Sequence, residues 1–213
     1  MKSIITIAAT TLGLAILAPT AQAALISGVT ASTDMGAALT TSLVYTLNGA
    51  GLPGGIPSLS GDHVIADTDY SWLGSVGILT GQITFDLNGS YSLGGFSFWN
   101  LNGPMGSSLS GIRMVTVQSS TDGSSFYDIL GAPTEFARGV DGPQPPEVFS
   151  FPTPVTASHV RFVVGSNWGA EYVTGFSEVQ FDAASPAAVP EPTGIVGLLA
   201  IGGAFLTTKR RRA

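Results

Sequence analysis

Ile83-Thr84-Phe85-Asp86-Leu87, then Asn88-Gly89, then Phe96-Ser97-Phe98 is the stretch that decides the fold class. Apolar residues at every second position mark strands with one buried face, because successive side chains of a strand point to opposite faces. Asn88-Gly89 between the two runs reads as a turn joining adjacent strands. Further on, Val115-Thr116-Val117 alternates in the same way and enters Ser120-Thr121-Asp122-Gly123, a hairpin turn that Phe126 closes by packing back on the sheet. Val160-Arg161-Phe162-Val163-Val164 and Val179-Gln180-Phe181 supply two more strands. Strand and turn signals alternate from about Leu43 onward, and no window holds a helical period. The expected fold is an all-β, antiparallel sandwich.

Composition agrees with many short strands and turns. The 213 residues include 28 Gly and 13 Pro, and only 10% are charged. Between Ala24 and Val189, thirteen acidic residues face Arg113, Arg138 and Arg161, thirteen against three, for a formal net charge of −10. That field repels a phosphate backbone, so nucleic acid is excluded as a partner. There is no cysteine, which removes disulfides and thiolate metal sites.

Both ends read as addresses. Lys2, the apolar run Ile4 to Ala18 and the small residues of Ala21-Gln22-Ala23 form a signal peptide over residues 1–23. Residues 24–182 then form the β-sandwich domain and 183–189 a linker, which leaves about 160 residues for one core. In residues 190–213, Pro190-Glu191-Pro192 precedes the apolar stretch Thr193 to Thr208, and Lys209 to Arg212 supply a basic cap that stays cytoplasmic. The apolar stretch is short for a span of about 20 residues, and a snorkelling Lys209 extends its reach.

This three-part tail resembles the PEP-CTERM sorting signal of Gram-negative bacteria. The resemblance implies a hydrophobic sorting helix held in the membrane before processing, cleavage by an exosortase, and display at the cell envelope or in an exopolysaccharide biofilm matrix. Four internal pieces, Ile83 to Leu87, Ser120 to Phe126, His159 to Phe162 and Ser177 to Phe181, resemble in that order the discoidin-like domains, also called coagulation-factor type C or galactose-binding-like, and the resemblance implies that the sandwich is a jelly roll. Members of that family often hold a structural calcium between an early loop and a glutamate of the last strand. Glu178 matches the glutamate, and Asn48 in Leu47-Asn48-Gly49-Ala50-Gly51-Leu52 stands where the family has an aspartate. An amide oxygen still ligates calcium, with one negative charge fewer. A salt bridge from Glu178 to Arg161 or Arg113 is the alternative reading of that carboxylate.

An enzyme needs a nucleophile beside a base, paired carboxylates or an open metal site. His63 lies in a predicted loop, and His159 precedes a strand as a surface histidine; neither has a second His nearby, and no serine stands in a nucleophile elbow. The chain reads as non-catalytic. Asp62 and Asp67-Thr68-Asp69 are oxygen ligands by type and solvated loop residues by frequency. Trp99 with Asn100 and Asn102, and Trp168 with Asn167, Glu171 and Tyr172, combine a ring for the apolar face of a sugar with groups that bond its hydroxyls. Trp72, Trp99 and Trp168 are equally the type of residue that caps a sandwich core. The sequence thus predicts a surface or matrix protein that binds carbohydrate, exopolysaccharide included. The competing readings are a structural matrix protein, a protein-binding adhesin and a cryptic hydrolase.

Overall fold

The computed structural model describes residues 23–184. Residues 1–22 of the expected signal peptide (1–23), the motif Pro190-Glu191-Pro192 and the rest of the expected sorting tail lie outside the described residues.

Among the described residues eight strands form: β1 (Ala24–Leu25), β2 (Thr30–Thr33), β3 (Trp72–Leu73), β4 (Gly81–Asn100), β5 (Val115–Ser120), β6 (Tyr127–Asp128), β7 (Glu147–Val164) and β8 (Gly175–Ala183). The order is β1-β8-β4-β7-β5-β6, with β2 also on β4 and β3 on β8, and every strand pair is antiparallel. The twenty residues of β4 and the eighteen of β7 make one long ribbon that bends. The first half of β4 pairs with β2 and the end of β7, and its second half pairs with β8 and the start of β7. Folding the ribbon brings two inner faces together. Phe85 of the first half meets Phe181 at 5.2 Å between ring centroids, and Phe96 of the second half meets Phe162 at 5.3 Å. Phe136 stacks on Phe98 at 3.9 Å. These phenylalanines are the mass of the core and form tilted, edge and offset contacts that favour a fixed packing.

Asn88-Gly89 is not a hairpin turn. β4 runs through it, and residues 87–90 bulge opposite Ser158 alone, since Asp86 pairs with His159 and Tyr91 with Ala157. Asn88 takes a left-handed φ of 58° there, so the residue types that favour turns here bend a strand instead. The two runs of the opening stretch are therefore halves of one strand in opposite layers. Residues 43–71 also depart from the strand expectation. They form a long covering loop with 3-10 turns at Leu43–Thr46 and Pro53–Gly55. The Ser120 to Gly123 hairpin forms as read, with Asp122 accepting the Ser124 and Ser125 N–H groups and Arg161 lying 3.4 Å over the Phe126 ring.

Register fixes two ends of the sandwich. Ala24 pairs with Ala183 at the end that carries both termini of the described chain. At the other end Gly81 and Val115 pair with Val164, and Trp72 and Asn100 with Phe176. The connections 34–42, 64–71, 101–114, 135–146 and 165–174 gather at this second end, tied by the bridges Gly111 to Gly175 and Ile112 to Asn167.

Candidate functional site

The loop end is held by a buried polar network. β4 finishes beneath the loops that follow it, and its last residues point inward. Asn100 donates to the carbonyls of Ile112 and Ala137, both at 2.7 Å, and accepts from the Leu101 N–H. Asn102 donates to Val64 O at 3.0 Å and Gly142 O at 2.7 Å, while its Oδ1 accepts from the Ala66 N–H and from Ser177 Oγ. Gln144 donates to Asn100 O and accepts from the Val140 N–H. These amides do for irregular loops what a ladder does for strands: they satisfy buried backbone groups.

The sequence expectation that Trp99, Asn100 and Asn102 face a ligand is corrected here. Trp99 and Asn102 are 0% exposed and Asn100 4%, and the Trp99 indole N–H is taken by Gly61 O at 3.0 Å. The loops fold over the end of β4, so its polar residues spend their hydrogen bonds inside. Trp72 is likewise buried, donating to Gly36 O.

The second loop is displayed in part. Asn167 turns inward, donating to Ala170 O, Val173 O and Thr174 Oγ1 and accepting from the Gly169 N–H, so it shapes the loop. Trp168 is half-buried, its indole N–H on Phe136 O at 3.2 Å. The Arg113 guanidinium lies 4.7 Å from the centre of its ring, and Arg113 Nε stands 3.4 Å from Glu135. Glu171 is exposed, and Tyr172 is 65% exposed. The segments 99–102 and 167–172 meet through Ile112, which bonds Asn100 and bridges Asn167. Of these two segments, the 167–172 arm is the one that reaches solvent with side chains suited to a sugar.

Glu178 is fully buried on β8. Its Oε1 accepts from the Gly49 N–H at 3.0 Å and from the Gln180 amide, and its Oε2 has no partner. The ion pair with Arg161 or Arg113 does not form: Arg113 pairs with Glu135, and Arg161 lies on Phe126 and Thr84. Burial, against those two hydrogen bonds, pushes the Glu178 carboxyl up to about 8. Asn48 uses its Oδ1 to accept the Ala50 N–H, which closes the loop as an Asx turn and leaves one lone pair. Among the described residues no three acidic, His or Cys side chains come close enough to hold a metal. A calcium ion here would have one carboxylate, with carbonyls and an amide for the rest; the orphaned Oε2 fits that role in part.

His63, expected in a loop, is 0% exposed. Its Nδ1 donates to Val64 O, so Nε2 carries the lone pair, unpartnered, and desolvation lowers its pKa. A Cβ on Gly51 would fall 2.0 Å from that ring. At the opposite end, Ser158 Oγ lies 2.8 Å from His159 Nδ1, but Asp86 stands 3.8 Å from Nε2 and is largely exposed, too far for the hydrogen bond that would orient a base.

No family model matches this chain, and no curated protein does. Solved structures do. A family 32 carbohydrate-binding module, CBM32-1 from a family 31 glycoside hydrolase of Clostridium perfringens, aligns with a TM-score of 0.52 at 12% identity, over 74% of this chain and 96% of its own. The family 32 module of C. perfringens NanJ in complex with galactose aligns at 0.50 and 11% identity, over 76% and 99%. The fold is a discoidin-like jelly roll. A third likeness, to CpGH89 of the same organism with its substrate GlcNAc-α-1,4-galactose, has a TM-score of 0.50 and 18% identity; it covers 78% of this chain and only 15% of that one. At these identities the likeness carries the discoidin-like architecture alone.

Proposed function

We propose that this chain is an exported, non-catalytic protein whose discoidin-like sandwich binds carbohydrate at its loop end. The observation that carries the reading is the displayed arm at that end, where Trp168 under the Arg113 guanidinium shares a loop with exposed Glu171 and Tyr172. An aromatic ring offers the apolar C–H face of a sugar a platform, and a guanidinium with N–H groups to spare bonds its hydroxyls. Both termini of the described chain leave from the far end, so a tether at either one leaves the loops free. The signal segment and the three-part tail support export, sorting by exosortase and residence at the cell surface or in an exopolysaccharide matrix. Glu178 supports a structural calcium beneath the loop 47–52, supplying charge compensation for its buried carboxylate.

Calorimetric titration with oligosaccharides of the host's exopolysaccharide tests the reading. Saturable binding that weakens about tenfold in Trp168→Ala or Tyr172→Ala supports it. Absence of saturable binding to any glycan, from a folded protein, favours the structural matrix role. For the tail, the intact mass of protein recovered from the native envelope should lack Lys209 to Arg212; their retention counts against exosortase.

A further inference from the structure

A cleft of about 480 Å³ opens at the loop end, away from Trp168 in the sequence, between the segment Val64 to Tyr70 and Pro143, with Ala50 at its edge. That volume lies in the range of small-molecule sites, about 300–1,000 Å³. Its lining is apolar except for Asp67 and the phenol of Tyr70. We infer that this cleft is a second sugar subsite, selective for pyranose residues that are uncharged or carry an amino group.

Three features make the cleft a built one. Asn102 bonds both walls at once, to Val64 O and the Ala66 N–H on one side and Gly142 O on the other. The turn beneath Tyr70 is closed by its own N–H on Asp67 O at 3.0 Å and by Ser71 Oγ on the same carbonyl at 2.7 Å. Tyr70 is followed by Ser71 and Trp72, both buried, so its backbone is anchored while the ring stays 36% exposed. A tyrosine held this way loses little conformational freedom when a ligand arrives.

Charge chooses the sugar. Asp67 is the one charged side chain of the lining, and its Oδ1 accepts the Thr68 N–H at 2.7 Å, which leaves Oδ2 for a ligand. With neighbouring Asp69 and a net charge of −10 over the domain, a uronate would meet repulsion. An ammonium or hydroxyl donor meets an acceptor, and a C–H face or acetyl methyl meets Tyr70 and Ile65.

The ligand class rests on the carbohydrate reading above; the location does not rest on Trp168. Titration of the described domain in its full chain with glucosamine, N-acetylglucosamine and uronate oligomers separates the two. Tyr70→Ala should weaken both amino and N-acetyl oligomers about 3- to 10-fold. Asp67→Asn should weaken the glucosamine oligomers about tenfold and leave the N-acetyl oligomers within about twofold. Any uronate binding, which the Arg113 guanidinium at Trp168 would favour, should be unchanged in Tyr70→Ala. Unchanged melting of both variants excludes misfolding as the cause. Uronate binding that Tyr70→Ala weakens as much as that of the other oligomers overturns the inference. So does sugar binding that Trp168→Ala removes while Tyr70→Ala and Asp67→Asn leave it intact, an outcome under which the carbohydrate reading survives. If no oligomer binds the unaltered protein, both fall.

Discussion

Trp99 and Glu178 stand directly opposite one another on β4 and β8, on the face that the loop from Gly49 to Gly61 covers. Each is tied to one end of that loop, Glu178 to the Gly49 N–H and Trp99 to the Gly61 carbonyl. The pair closes the sandwich rather than opening it to a ligand. Trp99→Ala should therefore cost about 3–5 kcal/mol in chemical unfolding and leave sugar affinity of the folded fraction intact. Loss of affinity without loss of stability would return Trp99 to the binding surface.

The Glu178 carboxyl gives stability a definite pH dependence. Its folded pKa of about 8 lies above the ordinary 4.5, so between those values the folded state holds a proton that the unfolded state releases. Stability is fully present below the lower value and falls as pH rises through the window, by up to roughly 1.4 kcal/mol per pH unit. Urea unfolding from pH 5 to 8.5 in chelator should show the fall, and Glu178→Gln should flatten it. Calcium needs the ionised carboxylate, so millimolar calcium should raise the melting temperature at pH 8 and barely at pH 5. A hundredfold excess over Kd corresponds to about 2.7 kcal/mol. A melting temperature indifferent to calcium at both values would leave Glu178 a protonated structural acid.

Asn102→Ala should be more damaging than its surface-type residue suggests. It strips the part-buried Gly142 carbonyl and Ala66 N–H of their Asn102 partner, at about 1–3 kcal/mol for each group left unsatisfied, and takes one of two donors from the Val64 carbonyl, which keeps His63 Nδ1. Hydrogen exchange should report faster opening of residues 64–66 and 142 than of β4 and β8.

Gly51 is fixed by close approach. Its missing side chain makes room for the His63 ring, and the Val64 N–H bonds its carbonyl at 2.9 Å. Gly51→Ala should force the ring or the loop to shift and lower the melting temperature by several degrees, the cost of about 1–3 kcal/mol of overpacking. A His63→Ala change in the same chain should recover part of the loss.

The strands legible in the sequence were those with one solvated face, such as Ile83 to Leu87 and Val115 to Val117. There, alternation directly records which side chains meet the core. Glu178 and Gln180 on β8 were readable by position but not by burial, because they lie under a loop whose Gly49 and Leu47 stand 129 and 133 residues earlier. Trp99, Asn100 and Asn102 have the composition of a sugar site for the same reason that they build a polar network: amides and indoles hydrogen-bond carbonyls and hydroxyls alike. Apart from Leu101, their side-chain partners are 12 to 75 residues away, and no local pattern announces them. Asp67 reads from sequence as a solvated loop residue; the pinning of its loop by Asn102 is what turns that loop into a wall.

The pairing of Ala24 with Ala183 also sets how the molecule carries load. A ligand gripped by the loop end and a pull applied through the chain beyond Ala184 would draw along β8, parallel to the strand. The bonds joining β8 to β4 over Leu93 to Asn100 lie across that pull, so they are loaded together in shear instead of one after another, as in unzipping. The short β1 has two paired residues and would be the first contact to yield. A single-molecule pull between the loop end and the C-terminal side should show a higher rupture force than one applied between Ala24 and Ala183.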